Sequence, residues 1–253
     1  MRQIVFLKQV PASTEIGIDP VTHTLMRAGS RSQTNPDDLH ALQMAVDIRS
    51  KAGGTIYAVT MGPPQAEAVL REAFLYGADY GILVSDSAFA GSDTWSTGYI
   101  LSAVAKRISR TDLLLFGKQA IDGDTAQVGP GVAARLGYPQ LTDVREILAV
   151  SEHSLTVEKK VDSGTQTLRT SFPCVLTVSR EANTLSLPTI NDWQKAQAKN
   201  ITRWNSSSLG LEHISLGLNG SPTRVKNTTV PVTTKSVCWL NDINDFKMIC
   251  LTI

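Results

Sequence analysis

Short apolar runs alternate with helix-period segments through the first half of the 253-residue chain, and that alternation leaves few folds open. The runs Gln3–Leu7, Thr55–Thr60, Tyr80–Val84 and Asp112–Phe116 carry little polar interleaving, as parallel strands covered on both faces require. Between them lie helical segments at about Pro36–Lys51, Gln65–Tyr76, Asp93–Arg107 and Thr125–Leu136. Spacings such as Leu39-x-x-Leu42-x-x-x-Val46 and Val69-Leu70-x-x-Ala73-Phe74 give each helix one buried face. Strand–helix repetition predicts right-handed crossovers and an α/β fold, a doubly wound, mostly parallel sheet. Asn35-Pro36 puts a capping side chain before a proline at the first helical position, and Gly53-Gly54 ends that helix.

Residues 9–34 form an inserted excursion, strand-like at Glu15–Ile18 and Thr24–Arg27. After Pro139 the pattern changes to strands at Val144–Val150, Leu155–Val161, Thr165–Ser171 and Val175–Ser179, a C-terminal strand extension of the sheet. From about residue 180 the chain turns polar and irregular. The expected division is therefore an α/β domain over 1–180 and an extended segment over 181–253.

Composition removes several classes of function. With 24 basic against 23 acidic residues, nothing favours a nucleic-acid or anionic-membrane surface. No apolar run approaches the roughly 20 residues of a membrane span, and the N-terminal run Ile4–Leu7 is too short for a signal sequence. Cys174, Cys238 and Cys250 have no metal-ligand spacing, and an odd count with wide gaps fits a reduced, cytoplasmic protein. His23, His40, His153 and His213 are scattered. No GxSxG, HExxH or nucleophile–base arrangement occurs, so no catalytic residue is assigned and a hydrolase reading is weak.

In an open parallel sheet, ligands sit beyond the carboxyl ends of the strands. Three loops stand there: Lys8–Asn35, Met61-Gly62-Pro63-Pro64 and GKQAIDGDTAQVGP over residues 117–130. The last lacks both GxGxxG and GxxxxGK[ST]. If a helix begins near Thr125, the amides of Thr125, Ala126, Gln127 and Val128 are open to a phosphate, and small Ala126 and Gly129 let it approach. Asp122 and Asp124 would repel such a group. They are expected to accept hydrogen bonds from the turn's amides or from a ribose or adenine edge. A plain helix cap explains Asp124 and Thr125 equally well. A nucleotide binder without acid–base machinery suits a carrier whose cofactor supplies the redox chemistry.

These segments together resemble the beta subunit of electron transfer flavoproteins, the family that includes the FixA proteins. The matching pieces are IVFLKQVP, the NPDD of Asn35–Asp38, AVTMGPPQAEAVLREAFLYGAD, SDSAFAGSDTWST, GKQAIDGDTAQVGP, FPCVLTVSRE and GSPTRV at 220–225. The loop DGDTAQVGP is most similar to the NADH-dependent, electron-bifurcating subgroup. The resemblance implies an adenine nucleotide alpha hydrolase-like fold and a heterodimer with an alpha subunit that carries FAD. It implies a pocket holding AMP or a second FAD, built from Phe6, Asn35, Asp38, Met61 and Ala120 through Gly131. That span includes Ala120, Asp122, Thr125, Ala126, Gln127, Val128 and Gly129. Thr94, Thr97 and the turn Ser221-Pro222-Thr223 join it in the two-flavin subgroup, with NADH as a possible donor. Leu187, in EANTLSLP, matches the leucine with which the family engages a flavin-dependent dehydrogenase. Residues 235–253, KSVCWLNDINDFKMICLTI, depart from the family's charged arm; a truncated, frame-shifted or divergent arm would weaken assembly. The competing expectation is a stand-alone adenine-nucleotide-binding module, related in fold to universal stress proteins and without a redox role.

Overall fold

The structure, a computed structural model, describes residues 1–12 and 32–225. The expected strands Glu15–Ile18 and Thr24–Arg27 and the divergent segment 235–253 lie outside the described residues. In chain order the elements begin with β1 (Arg2–Leu7), β2 (Gln9–Pro11), β3 (Ser32–Thr34), α1 (Pro36–Ala52), β4 (Thr55–Met61), α2 (Glu67–Leu75), β5 (Tyr80–Val84), α3 (Thr94–Ile108) and β6 (Leu113–Gly117). They continue with α4 (Val128–Leu136), β7 (Gln140–Val150), β8 (Ser154–Val161), β9 (Gly164–Ser171), β10 (Cys174–Val178), α5 (Ile190–Gln197), β11 (Ile201–Trp204), α6 (Ser206–Leu209) and α7 (Gly217–Gly220).

One nine-stranded sheet has the order β11-β5-β4-β1-β6-β10-β7-β8-β9. It is parallel from β11 through β7 and antiparallel in the β7-β8-β9 extension. Alternation along β1 explains the two layers of helices. Val5 and Leu7 face the apolar layer that holds Leu42, Ile48 and Leu70, whereas Ile4 and Phe6 face Ile100, Val104 and Val132. Every strand of the sheet's centre is buried on both faces, which is why its sequence shows no polar alternation.

The expected elements of the first half are present, with shifts at their ends. Glu67 rather than Gln65 opens α2, after a single 3₁₀ turn at Pro64–Ala66. The start of α4 moves from the expected Thr125 to Val128. Pro36 does occupy the first helical turn of α1, but the Asn35 side chain makes no capping bond and turns to the loop after β6 instead. Gly53 and Gly54 both have positive φ, and a Cβ on Gly54 would lie 1.9 Å from the Met1 carbonyl oxygen, so that crossing demands glycine.

The stretch after residue 180 is more ordered than its polarity suggests. A capping box of Thr189 and Asp192 opens α5, and β11 joins the sheet edge beside β5 in parallel register, Ile201 against Gly81 through Trp204 against Val84. Among the described residues no helix is long and apolar enough to cross a membrane.

Candidate functional site

A cleft of about 1210 Å³ opens beyond the carboxyl ends of β1, β4, β5 and β6, above the range of about 300–1,000 Å³ usual for small-molecule sites. The three loops expected from the sequence contribute, and a fourth wall comes from Ser85–Asp93, between β5 and α3. Its floor is a stacked pair, Phe6 and Phe116, with ring centroids 4.5 Å apart and an interplanar angle of 11°. The pair forms because alternate residues of adjacent parallel strands point to the same face.

The NPDD corner holds this floor together. Asp38, buried in the first turn of α1, accepts the Lys8 amide at 2.8 Å and the Gly117 amide at 3.0 Å, tying the ends of β1 and β6 to the helix. Burial pushes its carboxyl up to about 7, against the lowering influence of those bonds and of Asn35, with Asp37 adding repulsion. Gly117 is required by this contact, since a Cβ there would lie 2.4 Å from Asp38 Oδ1. Asn35, fully buried, donates through Nδ2 to the Gln119 carbonyl at 2.8 Å and accepts the Ile121 amide at 3.2 Å.

The loop between β6 and α4 is a turn closed by the amides of Gly123 and Asp124 on the Ala120 carbonyl. Asp124 and Ala126 both adopt positive φ, 46° and 53°, a left-handed conformation that costs a non-glycine residue about 1–2 kcal/mol. The two carboxylates find partners other than the turn's amides. Asp122 pairs with Lys8 at 2.6 Å, and Asp124 accepts from Gln119 Nε2 at 3.0 Å. Because α4 begins three residues later than expected, the helical amides with no preceding turn to bond are those of Val128 and Gly129, followed by Pro130, which has none. Thr94 links the far wall to this loop by donating to Gln127 Oε1 at 2.9 Å.

Of the residues expected at the site, Phe6, Asp38, Met61, Thr94, Thr97, Ala120 and Thr125 through Gly129 line the cleft. Asn35 and Asp122 stand behind the lining as supports of the loop. The turn Ser221-Pro222-Thr223 lies at the N-terminus of α3 with its hydroxyls committed elsewhere. Ser221 Oγ accepts the Asp93 amide at 2.9 Å and donates to the Gly217 carbonyl at 2.6 Å, while Thr223 donates through both N and Oγ1 to Asp93 Oδ2. Asp93 Oδ1 caps α3 through the Trp95 and Ser96 amides. Burial raises the Asp93 carboxyl, but the bonds from Ser96, Thr223 and Trp95 outweigh it and hold it below the usual carboxylate range. Asp93, Phe116 and Lys118 also line the cleft and were not among the expected residues. For Asp93 the signal was present, since Asp before Thr-Trp-Ser at a helix start is a capping pattern.

Leu187 is 89% exposed, with Ile190 and Trp193 also exposed on the same surface segment. His40 faces Asn183 rather than the cleft, with Nδ1 2.8 Å from Asn183 Oδ1. Cys174 is buried at the start of β10, and desolvation pushes its thiol up to about 12.

A doubly wound sheet with a large cleft at its carboxyl edge, lined by aromatic rings, hydroxyls and a strained Gly/Ala-rich loop, defines an α/β protein of the class whose ligand sites lie beyond the carboxyl ends of the strands. The electron transfer flavoprotein domain matches residues 22–209. The chain is 45% identical over 237 residues to protein FixA of Azotobacter vinelandii, covering 91% of this chain and 84% of that one. It is 42% identical over 240 residues to the electron transfer flavoprotein subunit beta of Thermoanaerobacterium thermosaccharolyticum, covering 93% and 90%. It is also 42% identical over 232 residues to the caffeyl-CoA reductase-Etf complex subunit CarD of Acetobacterium woodii, covering 91% and 88%. The chain belongs to the electron transfer flavoprotein family, among its beta subunits and FixA proteins, and its role is electron transfer.

Proposed function

We propose that this chain is the beta subunit of a heterodimeric electron transfer flavoprotein and holds FAD in its cleft. It would relay electrons between NADH or a flavin-dependent dehydrogenase and the FAD of an alpha subunit in the cytoplasm. The observation that carries this reading is the extent of the cleft. Its lining runs from the strained loop and the first amides of α4, past the Phe6–Phe116 floor, to Thr94 and Thr97 on the opposite wall. The part near Thr125–Gly129 suits the phosphates of any adenine nucleotide, AMP included. The additional wall formed by Ser85–Asp93, Thr94 and Thr97 provides room and hydroxyl oxygens for a further ring system, which AMP does not have.

The residues present fit a flavin nucleotide in their chemistry. Val128 and Gly129 offer amides, Thr94, Thr97 and Thr125 offer hydroxyls, and Phe6, Met61 and Phe116 offer apolar faces. A flavin bound there would supply the redox chemistry itself. The protein's part is to fix the loop through Asn35 and Asp38, cap α3 with Asp93, and keep bulk water from the floor with the aromatic pair.

The CarD relative carries its reductase–Etf complex in its name, and the loop DGDTAQVGP agrees with the two-flavin version. Leu187 is read as the contact for the partner dehydrogenase, an apolar side chain already freed from the fold. The chain should be co-expressed with its alpha subunit and the FAD and AMP extracted from the purified pair counted. Two FAD per heterodimer is the expected result. One FAD with stoichiometric AMP would remove the second flavin, and neither nucleotide in the beta subunit would remove the reading altogether.

A further inference from the structure

Three residues of α1, spaced by three, hold the segment that leads to Leu187. Asp37 Oδ1 pairs with Arg180 Nε. His40 and Asn183 are doubly linked, His40 Nδ1 to Asn183 Oδ1 at 2.8 Å and Asn183 Nδ2 to the His40 carbonyl at 2.9 Å. Gln43 Oε1 accepts the Ser186 amide at 3.0 Å. Positions i, i+3 and i+6 share a helix face, so α1 acts as a rail for residues 180–186. Beyond Leu187 the chain is fixed again by the Thr189–Asp192 capping box. The exposed leucine thus stands on a short arch with both feet pinned.

The same helix turn reaches the cleft. Asp37, 4% exposed, uses its other carboxylate oxygen to accept the Gln119 amide at 3.4 Å, and Gln119 lines the cleft. A second route runs parallel. Lys118, also in the lining, pairs with Asp143 at 2.8 Å, and two residues along β7 Arg145 pairs with Glu181, which Lys160 approaches at 3.7 Å. One buried carboxylate therefore bridges the cleft loop and the foot of the arch.

We propose that Asp37 is a positioning residue that couples the two, so that a ligand which orders Gln119 also tightens the segment presenting Leu187. The inference rests on the nucleotide and docking readings above, and it deepens them: the nucleotide cleft regulates the contact surface. A shared anchor gives coupling because whatever restricts one partner of the carboxylate lowers the entropy still to be lost by the other.

Amide hydrogen exchange on the full 253-residue chain tests this. Arg180→Gln removes the bond on the arch side only and leaves Asp37 a buried carboxylate without its counter-charge. Exchange is expected to rise about fivefold or more in residues 180–187 and also in 118–124, with the β1 and β4 amides unchanged. A rise confined to 180–187 would overturn the coupling. Gln43→Leu releases Ser186 without touching Asp37 and is expected to leave 118–124 as in the wild type; loosening of 118–124 there too would mean general softening and would also overturn it. In wild-type protein, AMP or FAD at millimolar concentration should slow exchange in 118–129 and in 180–187 together, and in Arg180→Gln only in 118–129. Protection of 118–129 alone in the wild type overturns the coupling. No protection at 118–129 by either nucleotide overturns the nucleotide reading instead, and the coupling is then decided by the two variants.

Discussion

Replacing Asp38 by Asn removes its titration and turns one of its two acceptor oxygens into a donor, a loss that does not vary with pH, so the pH dependence of stability isolates the carboxyl. Asp38 is buried at the junction of β1, β6 and α1, and the backbone amides of Lys8 and Gly117 each donate to one of its oxygens. Desolvation raises its carboxyl from 3.8 to about 7, more than the bonds from Lys8, Asn35 and Gly117 can lower it. Between those values the folded chain keeps a proton that the unfolded chain releases. Stability from this group is therefore full below pH 4, falls as pH rises toward 7, and levels off above it. The whole interval corresponds to about 4 kcal/mol, and the part between pH 5 and 7 to about 3 kcal/mol. Asp86 and Asp93 have lowered carboxyls and act with the opposite sign, but their gain with rising pH is complete near pH 5. Urea unfolding of wild type and Asp38→Asn at half-unit steps from pH 5 to 8 isolates the Asp38 contribution as the difference between the two curves. The wild type should lose about 3 kcal/mol relative to the variant across that range. A difference that stays constant to within about 0.5 kcal/mol, or that grows with pH, would refute the argument from burial.

Gly117→Ala places a Cβ 2.4 Å from Asp38 Oδ1 and 2.7 Å from the Asp37 backbone, so backbone has to move. A loss of about 2–3 kcal/mol is expected, read as a Tm lower by about 5–10 °C in calorimetry, and an unchanged Tm would deny the close approach. At Ala126, with φ of 53°, substitution by Gly should be neutral or stabilising by up to about 0.5 kcal/mol. The same change at Ala134, exposed within α4, should cost about 1 kcal/mol, and equal losses at the two positions in chemical denaturation would remove the strain assigned to Ala126.

What could be read in advance divides along a physical line. The strands β1, β4, β5 and β6 declare themselves because burial on both faces forbids polar residues, and α1 through α3 because one face must be apolar. The helix starts are less legible, since the choice between Thr125 and Val128 depends on whether the loop before α4 adopts left-handed turns at Asp124 and Ala126. β11 is four residues long with two exposed side chains, and its strand character comes from the edge of β5, 120 positions earlier at Gly81–Ile201. It carries no pattern of its own. Its neighbour α5 did carry one, the Thr189-x-x-Asp192 capping box, and a search for caps alone would have found it. Pairings such as Lys8 with Asp122 and Asp37 with Arg180 join residues 114 and 143 positions apart. No local rule selects those partners, because a carboxylate looks the same in sequence whichever cation it meets.

That line also explains why the site was half visible. Lining residues such as Thr94, Thr97 and Thr125–Gly129 lie next to strand ends and helix starts, so topology alone brings them together. The supporting residues do not share that logic. Asn35 gives up helix capping in order to grip Gln119 and Ile121, and Ser221 and Thr223 commit their hydroxyls to Asp93. Each is a case where a side chain abandons the bond its local sequence favours for one made across the fold. Electron transfer depends on keeping a cofactor at a set distance and orientation, and a buried polar corner does that better than a purely apolar one because hydrogen bonds fix direction as well as proximity. The side chains whose local preference and observed contact disagree here therefore stand on both walls of the cleft, at the loop that begins at Gly117 and at the start of α3.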